Sequence, residues 1–212
     1  IANVYAYASI QKVDKNLDYL KEIYKKNPKS EILGFLLLRE INKIEDWVYT
    51  PYYSNYSPST EYKYWSDDND KITTETLRTR SENDRLYAQE VLDFIQSIVF
   101  KSTQNPIVWE AAQINLQFLT RKYRDCLQLI TTFEKAHKTD KSLEQIEKIK
   151  ALCITANQEN GKAIIKPEIH NTILKYKNDE RFIFALGREL EFKENITDGI
   201  ALISLLETNY SY

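Results

Sequence analysis

The 212-residue chain has no methionine, four glycines, five prolines, two cysteines and two histidines. So few glycines and prolines cannot supply the tight turns of a sandwich, a barrel or an alternating α/β fold, whereas a mainly helical chain needs few of them. No run of about 18 apolar residues occurs, which leaves no membrane-spanning helix. Neither sign of charge prevails: 29 basic residues face 31 acidic ones, for a net charge of −2. The short basic clusters (Lys25, Lys26 and Lys29; Arg121, Lys122 and Arg124) fall near expected helix ends, where they meet the helix dipole. They form no phosphate-tracking surface, so no nucleic-acid partner is expected.

The sparse chemistry-bearing residues exclude more. Cys126 and Cys153 have neither zinc nor redox spacing and read as buried thiols. His137 sits in a turn between Lys135 and Lys138. His170 has Glu168 nearby but no second histidine at ligand spacing, so no zinc site is expected. Asp67, Asp68 and Asp70 lack the glycine and terminal glutamate of a calcium loop. No glycine-rich phosphate loop, nucleophile elbow or Ser-His-acid set can be assembled, and no catalytic residue, cofactor or metal is expected. Asn55-Tyr-Ser, Asn195-Ile-Thr and Asn209-Tyr-Ser match a glycosylation pattern too short to be informative. The missing methionine, with Ile1 already inside what reads as a helix and no visible signal peptide, gives the expectation of a piece of a longer protein whose address lies elsewhere. Cell envelope, periplasm and cytoplasm stay open. The frequent lysine, asparagine, isoleucine and tyrosine resemble the usage of an AT-rich bacterial genome.

What is present is helical periodicity. It predicts an all-α fold of about ten helices, over roughly 2–11, 14–27, 30–46, 73–101, 105–120, 122–138, 143–158, 163–177, 180–193 and 195–208. Pro28 and Pro106 mark a stop and a start, and Ser30 and Asp140 or Ser142 are candidate caps. Residues 30–46 are apolar nearly all round, as expected of a helix covered on more than one side. Short connections predict antiparallel hairpins. Cys126 and Cys153 are equidistant from the turn near 139–140, so they are expected to be neighbours across one hairpin. A disulfide is tight at ordinary helix spacing, and the expectation is a reduced pair.

Self-similarity underlies these helices. The spacing i, i+3, i+7, i+10 picks out Leu17, Leu20, Tyr24 and Asn27; Tyr123, Cys126, Ile130 and Phe133; and Ile196, Gly199, Ile203 and Leu206. A shorter signature gives Leu33, Gly34 and Leu37, and again Leu186, Gly187 and Leu190. Gly34 and Gly187 each cost about 1 kcal/mol inside a helix, for which a close helix-helix approach is the simplest compensation. In the last pair both signatures fall in register, and here the chain resembles the tetratricopeptide repeats, helix-turn-helix units of about 34 residues. The resemblance covers residues 1–46 and 105–208, with a degenerate repeat at 143–177. It implies a right-handed α-solenoid of antiparallel helix pairs with one aromatic-rich insertion loop. The array would comprise first repeats (1–46), insertion (47–72), central helices (73–142) and C-terminal repeats (143–208). An irregular helical bundle is the competing reading.

The resemblance further implies a non-catalytic scaffold that binds a protein or peptide in a concave groove. Tyr7, Gln11, Gln113, Gln117 and Arg188 are the candidate lining residues by position. Residues 47–65, "WVYTPYYSNYSPSTEYKYW", hold two tryptophans and six tyrosines. Trp47, Tyr49, Tyr52, Tyr53 and Tyr56 could fold back as a plug in the helical stack, their hydroxyls reaching backbone or water. Alternatively some of these rings, with Trp65, stay at the surface for peptide or glycan recognition. A helical accessory part of a larger enzyme is the third possibility.

Overall fold

The structure, a computed structural model, describes Tyr5, Tyr7, Ile10 and residues 13–60 and 72–207. The helix expected over 2–11, apart from those three residues, lies outside them, as do Gln11, Trp65, the acidic run at Asp67, Asp68 and Asp70, and Asn209. The described residues hold nine α-helices and no strand. They are α1 (Leu17–Lys26), α2 (Ile32–Tyr49), α3 (Thr74–Gln96), α4 (Pro106–Leu119), α5 (Tyr123–Ala136), α6 (Leu143–Ala156), α7 (Pro167–Lys175), α8 (Glu180–Phe192) and α9 (Ile196–Glu207). The chain divides into two compact units, Ile1–Thr120 and Arg121–Tyr212.

Most boundaries follow from local chemistry. The Thr73 hydroxyl accepts the Thr76 N–H at 3.1 Å to start α3. Asp179 accepts the Phe182 N–H at 3.1 Å to start α8, and Asn195 accepts the Asp198 N–H at 3.2 Å to start α9. Each satisfies a donor that a helix start leaves unpaired. Pro106 and Pro167 occupy the first turns of α4 and α7, where a missing N–H costs nothing. Asp140 accepts both the Ser142 N–H and its hydroxyl ahead of α6.

Several expected boundaries are corrected. Ser30 does not cap α2 through its side chain; Glu31 is the flanking residue and is already helical. Residues 97–99 leave α3 before a single 3₁₀ turn at Phe100–Ser102, so the helix does not reach Lys101. Residues 163–166 are not helical and α7 starts at Pro167; Lys166 is extended, as the residue before a proline is restrained to be.

In the N-terminal unit α2 packs against α1, α3 and α4. Its buried residues include Leu33, Leu37, Ile44 and Trp47, which meet Leu20 and Ile23 of α1, Val91 and Ile95 of α3, and Trp109 of α4 in one cluster. This explains its near-circumferential apolarity, although Phe35 and Leu38 stay exposed. In the C-terminal unit α6 packs against α5, α7 and α8, and α9 lies on α8. Ile169, Tyr176, Ile183, Leu186, Leu190 and Leu202 form its core. The α8–α9 crossing is glycine-dependent. A Cβ on Gly187 would lie 2.7 Å from Ile203 Cγ1 and 2.8 Å from the Gly199 carbonyl oxygen, and one on Gly199 would lie 2.7 Å from the Gly187 carbonyl oxygen. The close approach expected at Gly187 is therefore present. At Gly34 it is not: a Cβ there would meet only Val108, at 3.9 Å.

Candidate functional site

The aromatic segment begins as helix. Where sequence reasoning ends the third helix near Asp46, α2 continues to Tyr49 and passes into a π-helical turn, Thr50–Ser54. Pro51 is the physical cause. It offers no N–H to the carbonyl four residues back and its ring crowds that turn, so the helix widens at this point. Ser81 Oγ donates to the Val48 carbonyl at 2.8 Å, in the buried layer where α3 meets the widened turn. Asn55, with φ 58°, ends the turn in the left-handed region.

Residues 55–60 then fold back on α2. Trp47 Nε1–H donates to the Thr60 carbonyl at 2.5 Å, and Asp46 accepts the Thr60 N–H at 2.6 Å and the Thr50 hydroxyl at 2.7 Å. Trp47 and Tyr53 are buried, Tyr49 and Tyr52 half-buried, and Tyr56 is 71% exposed. Tyr49 and Tyr53 stack with centroids 5.1 Å apart, and Tyr49 also meets Phe118 of α4. The Arg85 guanidinium lies over the Tyr52 ring and donates to the Leu119 carbonyl. Most of these rings are thus turned into the protein, and Tyr56 is the one the structure leaves at the surface among the five described.

Beside this segment is a buried polar network. The Tyr87 hydroxyl donates to Glu40 Oε1 at 2.6 Å while accepting the Asn16 and Leu17 N–H groups at 3.1 and 3.0 Å. Glu40 also accepts the Asn16 N–H at 3.0 Å and pairs with Lys43 Nζ at 2.6 Å. Lys43 donates to the Asp14 carbonyl at 2.6 Å, and Lys15 pairs with the buried Asp84 at 3.3 Å. Burial, and then the Glu40 carboxylate, hold the Tyr87 phenol well above its usual range, so it donates and does not ionise. Desolvation outweighs Glu40 and lowers the Lys43 ammonium. Every helix-start donor named here is met from α2 or α3, so the network anchors α1.

The C-terminal unit carries an open cleft of about 250 Å³ between α5, α6 and α7. Buried Ala151, Ile154 and Ile169 form its floor. Its rim is polar: Lys150 Nζ meets Glu134 at 2.9 Å, and Glu147 Oε2 accepts from Lys175 Nζ and the Tyr176 hydroxyl, each at 2.7 Å. Glu168 and Asn171 complete the rim and are exposed. Burial alone would raise the Glu147 carboxyl, but the bonds from Lys175 and Tyr176 hold it below the usual carboxylate range. The Lys175 ammonium is correspondingly raised, first by its bond to Glu147. Next to the cleft, Lys148 bridges Asp179 at 2.8 Å and Glu144 at 3.3 Å and lies over the Tyr176 ring, which fixes α6, α7 and α8 together.

The expected groove residues are dispersed. Tyr7 is 67% exposed, Gln113 is half-buried on α4, and Gln117 is buried there. Arg188 is half-buried on α8 and ion-paired with Glu191. None of them lines the cleft. Sequence reasoning missed Glu134, Glu147, Lys150, Asn171 and Lys175 as site residues. One signal was available for two of them: Glu134 and Lys150 flank the same turn that brings Cys126 and Cys153 together, and those sulfurs lie 3.1 Å apart. Among the described residues no group of three metal-ligating side chains converges, and no helix is long and apolar enough to cross a membrane. Protein-family models, curated proteins and solved structures give no match to this chain.

Proposed function

We propose that the chain is a non-catalytic peptide-binding scaffold and that its C-terminal unit is a tetratricopeptide-like stack of helix pairs. The order of packing supports this reading: α6 touches the helix before it, the helix after it and the next first helix, α8, as successive repeats do. The glycine-mediated crossing of α8 and α9 falls in the pair where both repeat signatures are in register.

The cleft carries the functional reading. An apolar floor with a rim of amide, carboxylate and ammonium groups accommodates an apolar peptide side chain while hydrogen-bonding the backbone around it. The rim charges are mostly paired with one another, which favours a short extended segment over a strongly charged ligand. Selection of a random peptide library on the immobilised chain is expected to enrich a motif with one apolar anchor. Binding of that motif falls at least tenfold in a Glu168→Arg/Asn171→Arg variant, both positions being exposed and so compatible with an unchanged fold. Failure to enrich any motif, or a motif indifferent to these substitutions, refutes the proposal.

A further inference from the structure

The side chains of Cys126 and Cys153 are fully buried between α5 and α6 with their sulfurs 3.1 Å apart. We propose that this pair is a disulfide site, oxidised by an external disulfide or a disulfide-bearing oxidase, and that the bond locks α5 to α6.

The geometry carries the inference. A disulfide bond is about 2.05 Å long, so closure requires the sulfurs to approach by about 1 Å. Sulfurs already 3.1 Å apart leave a far smaller gap to close than helix spacing alone would suggest. Both residues also lie where a helix yields most easily: Cys126 in the first turn of α5, Cys153 in the last turn of α6. Helix ends open before helix centres, and that opening supplies both the small displacement and access to an oxidant. Burial raises the Cys153 thiol, which keeps the closed, reduced pair unreactive and assigns the chemistry to the opened or still-folding hairpin.

The exchange balances. One cysteine loses its proton, its thiolate attacks a sulfur of the external disulfide RSSR, and RS⁻ departs. The second cysteine, deprotonated in turn, attacks the sulfur of the first and displaces the other RS⁻. Two protons and two electrons leave the chain, and RSSR becomes two RSH.

The test is oxidative refolding of the full chain in a mixture of reduced and oxidised glutathione. It is followed by denaturation in N-ethylmaleimide and intact-mass measurement. The expected product carries no maleimide, is about 2 Da lighter than the reduced chain, and yields one digestion fragment joining Cys126 to Cys153. Its urea midpoint lies above that of the reduced chain and returns to it on addition of dithiothreitol. Maleimide or glutathione on both cysteines after refolding overturns the proposal, as does a bonded chain whose midpoint is no higher than that of the reduced one.

Discussion

Two glycines in similar sequence settings should respond oppositely to alanine. Gly34 in Leu33-Gly34 and Gly187 in Leu186-Gly187 both lie inside helices, where replacing glycine by alanine gains about 1 kcal/mol of helix propensity. At Gly34 the added methyl meets only Val108, at 3.9 Å, an ordinary contact. Gly34→Ala is therefore stabilising by about 0.5–1 kcal/mol. At Gly187 the methyl would lie 2.8 Å from the backbone oxygen of Gly199, which no side-chain rotation can relieve, and 2.7 Å from Ile203. Forcing α8 and α9 apart costs about 1–3 kcal/mol of overpacking and uncovers part of Leu186, Leu190 and Leu202. After the propensity gain is subtracted, overpacking leaves a loss of up to about 2 kcal/mol, and the uncovered leucines add to it, so Gly187→Ala is destabilising. Urea titration reads both. The three tryptophans lie in residues 1–120, so their fluorescence follows the N-terminal unit, and far-UV circular dichroism follows all the helices. Gly34→Ala moves the fluorescence midpoint up and Gly187→Ala moves the dichroism midpoint down. Equal shifts of the same sign would refute the assignment of a close crossing to one glycine and open space to the other.

Tyr87→Phe removes a donor to Glu40 and the acceptor for two N–H groups, and is expected to cost about 1.5–3 kcal/mol by denaturant titration; a neutral result would mean the start of α1 is held elsewhere. Glu40→Leu strands Lys43 in the interior and should cost about 3–5 kcal/mol, much of it recovered in the Glu40→Leu/Lys43→Met double variant. The pH dependence has a defined sign. At Asp179 burial acts to raise the carboxyl, but bonds from Lys148 and the Phe182 N–H prevail and lower it from its ordinary value of 3.8. A depressed folded value contributes stability that is present above that ordinary value and lost as pH falls through the folded one. Asp179→Asn keeps the amide acceptor for Phe182 but loses the charge. Its thermal midpoint should fall less steeply than wild type as pH drops below 3.8, and an equally steep fall would refute the role of the Lys148 pair.

The helical class and most helix positions were legible because their determinants are local: apolar spacing, prolines at helix starts, and short polar connections. The contact of Cys126 and Cys153 was legible too, since a turn fixes which positions face each other. The π turn was not. Apolar spacing ends the helix near Asp46, and only the buried Ser81 on a distant helix shows how the widened turn is accommodated. Nor was the difference between Gly34 and Gly187, which depends on what lies opposite each helix. The buried network left one overlooked sign: Glu40 falls on the stripe of Leu33, Leu36, Leu37, Ile41 and Ile44, where an acid requires a partner. The cleft was invisible because its residues are ordinary surface charges that acquire meaning only when three helices bring them together.

The anchoring of α1 by Tyr87 and Glu40 has a kinetic consequence. Ten residues with no side-chain cap of their own make too short a helix to persist in water. The groups that terminate its first turn arrive from α2 and α3, so this segment orders only after those two have met. In refolding experiments it should dock last, and substitutions within it should speed unfolding while leaving the folding rate nearly untouched.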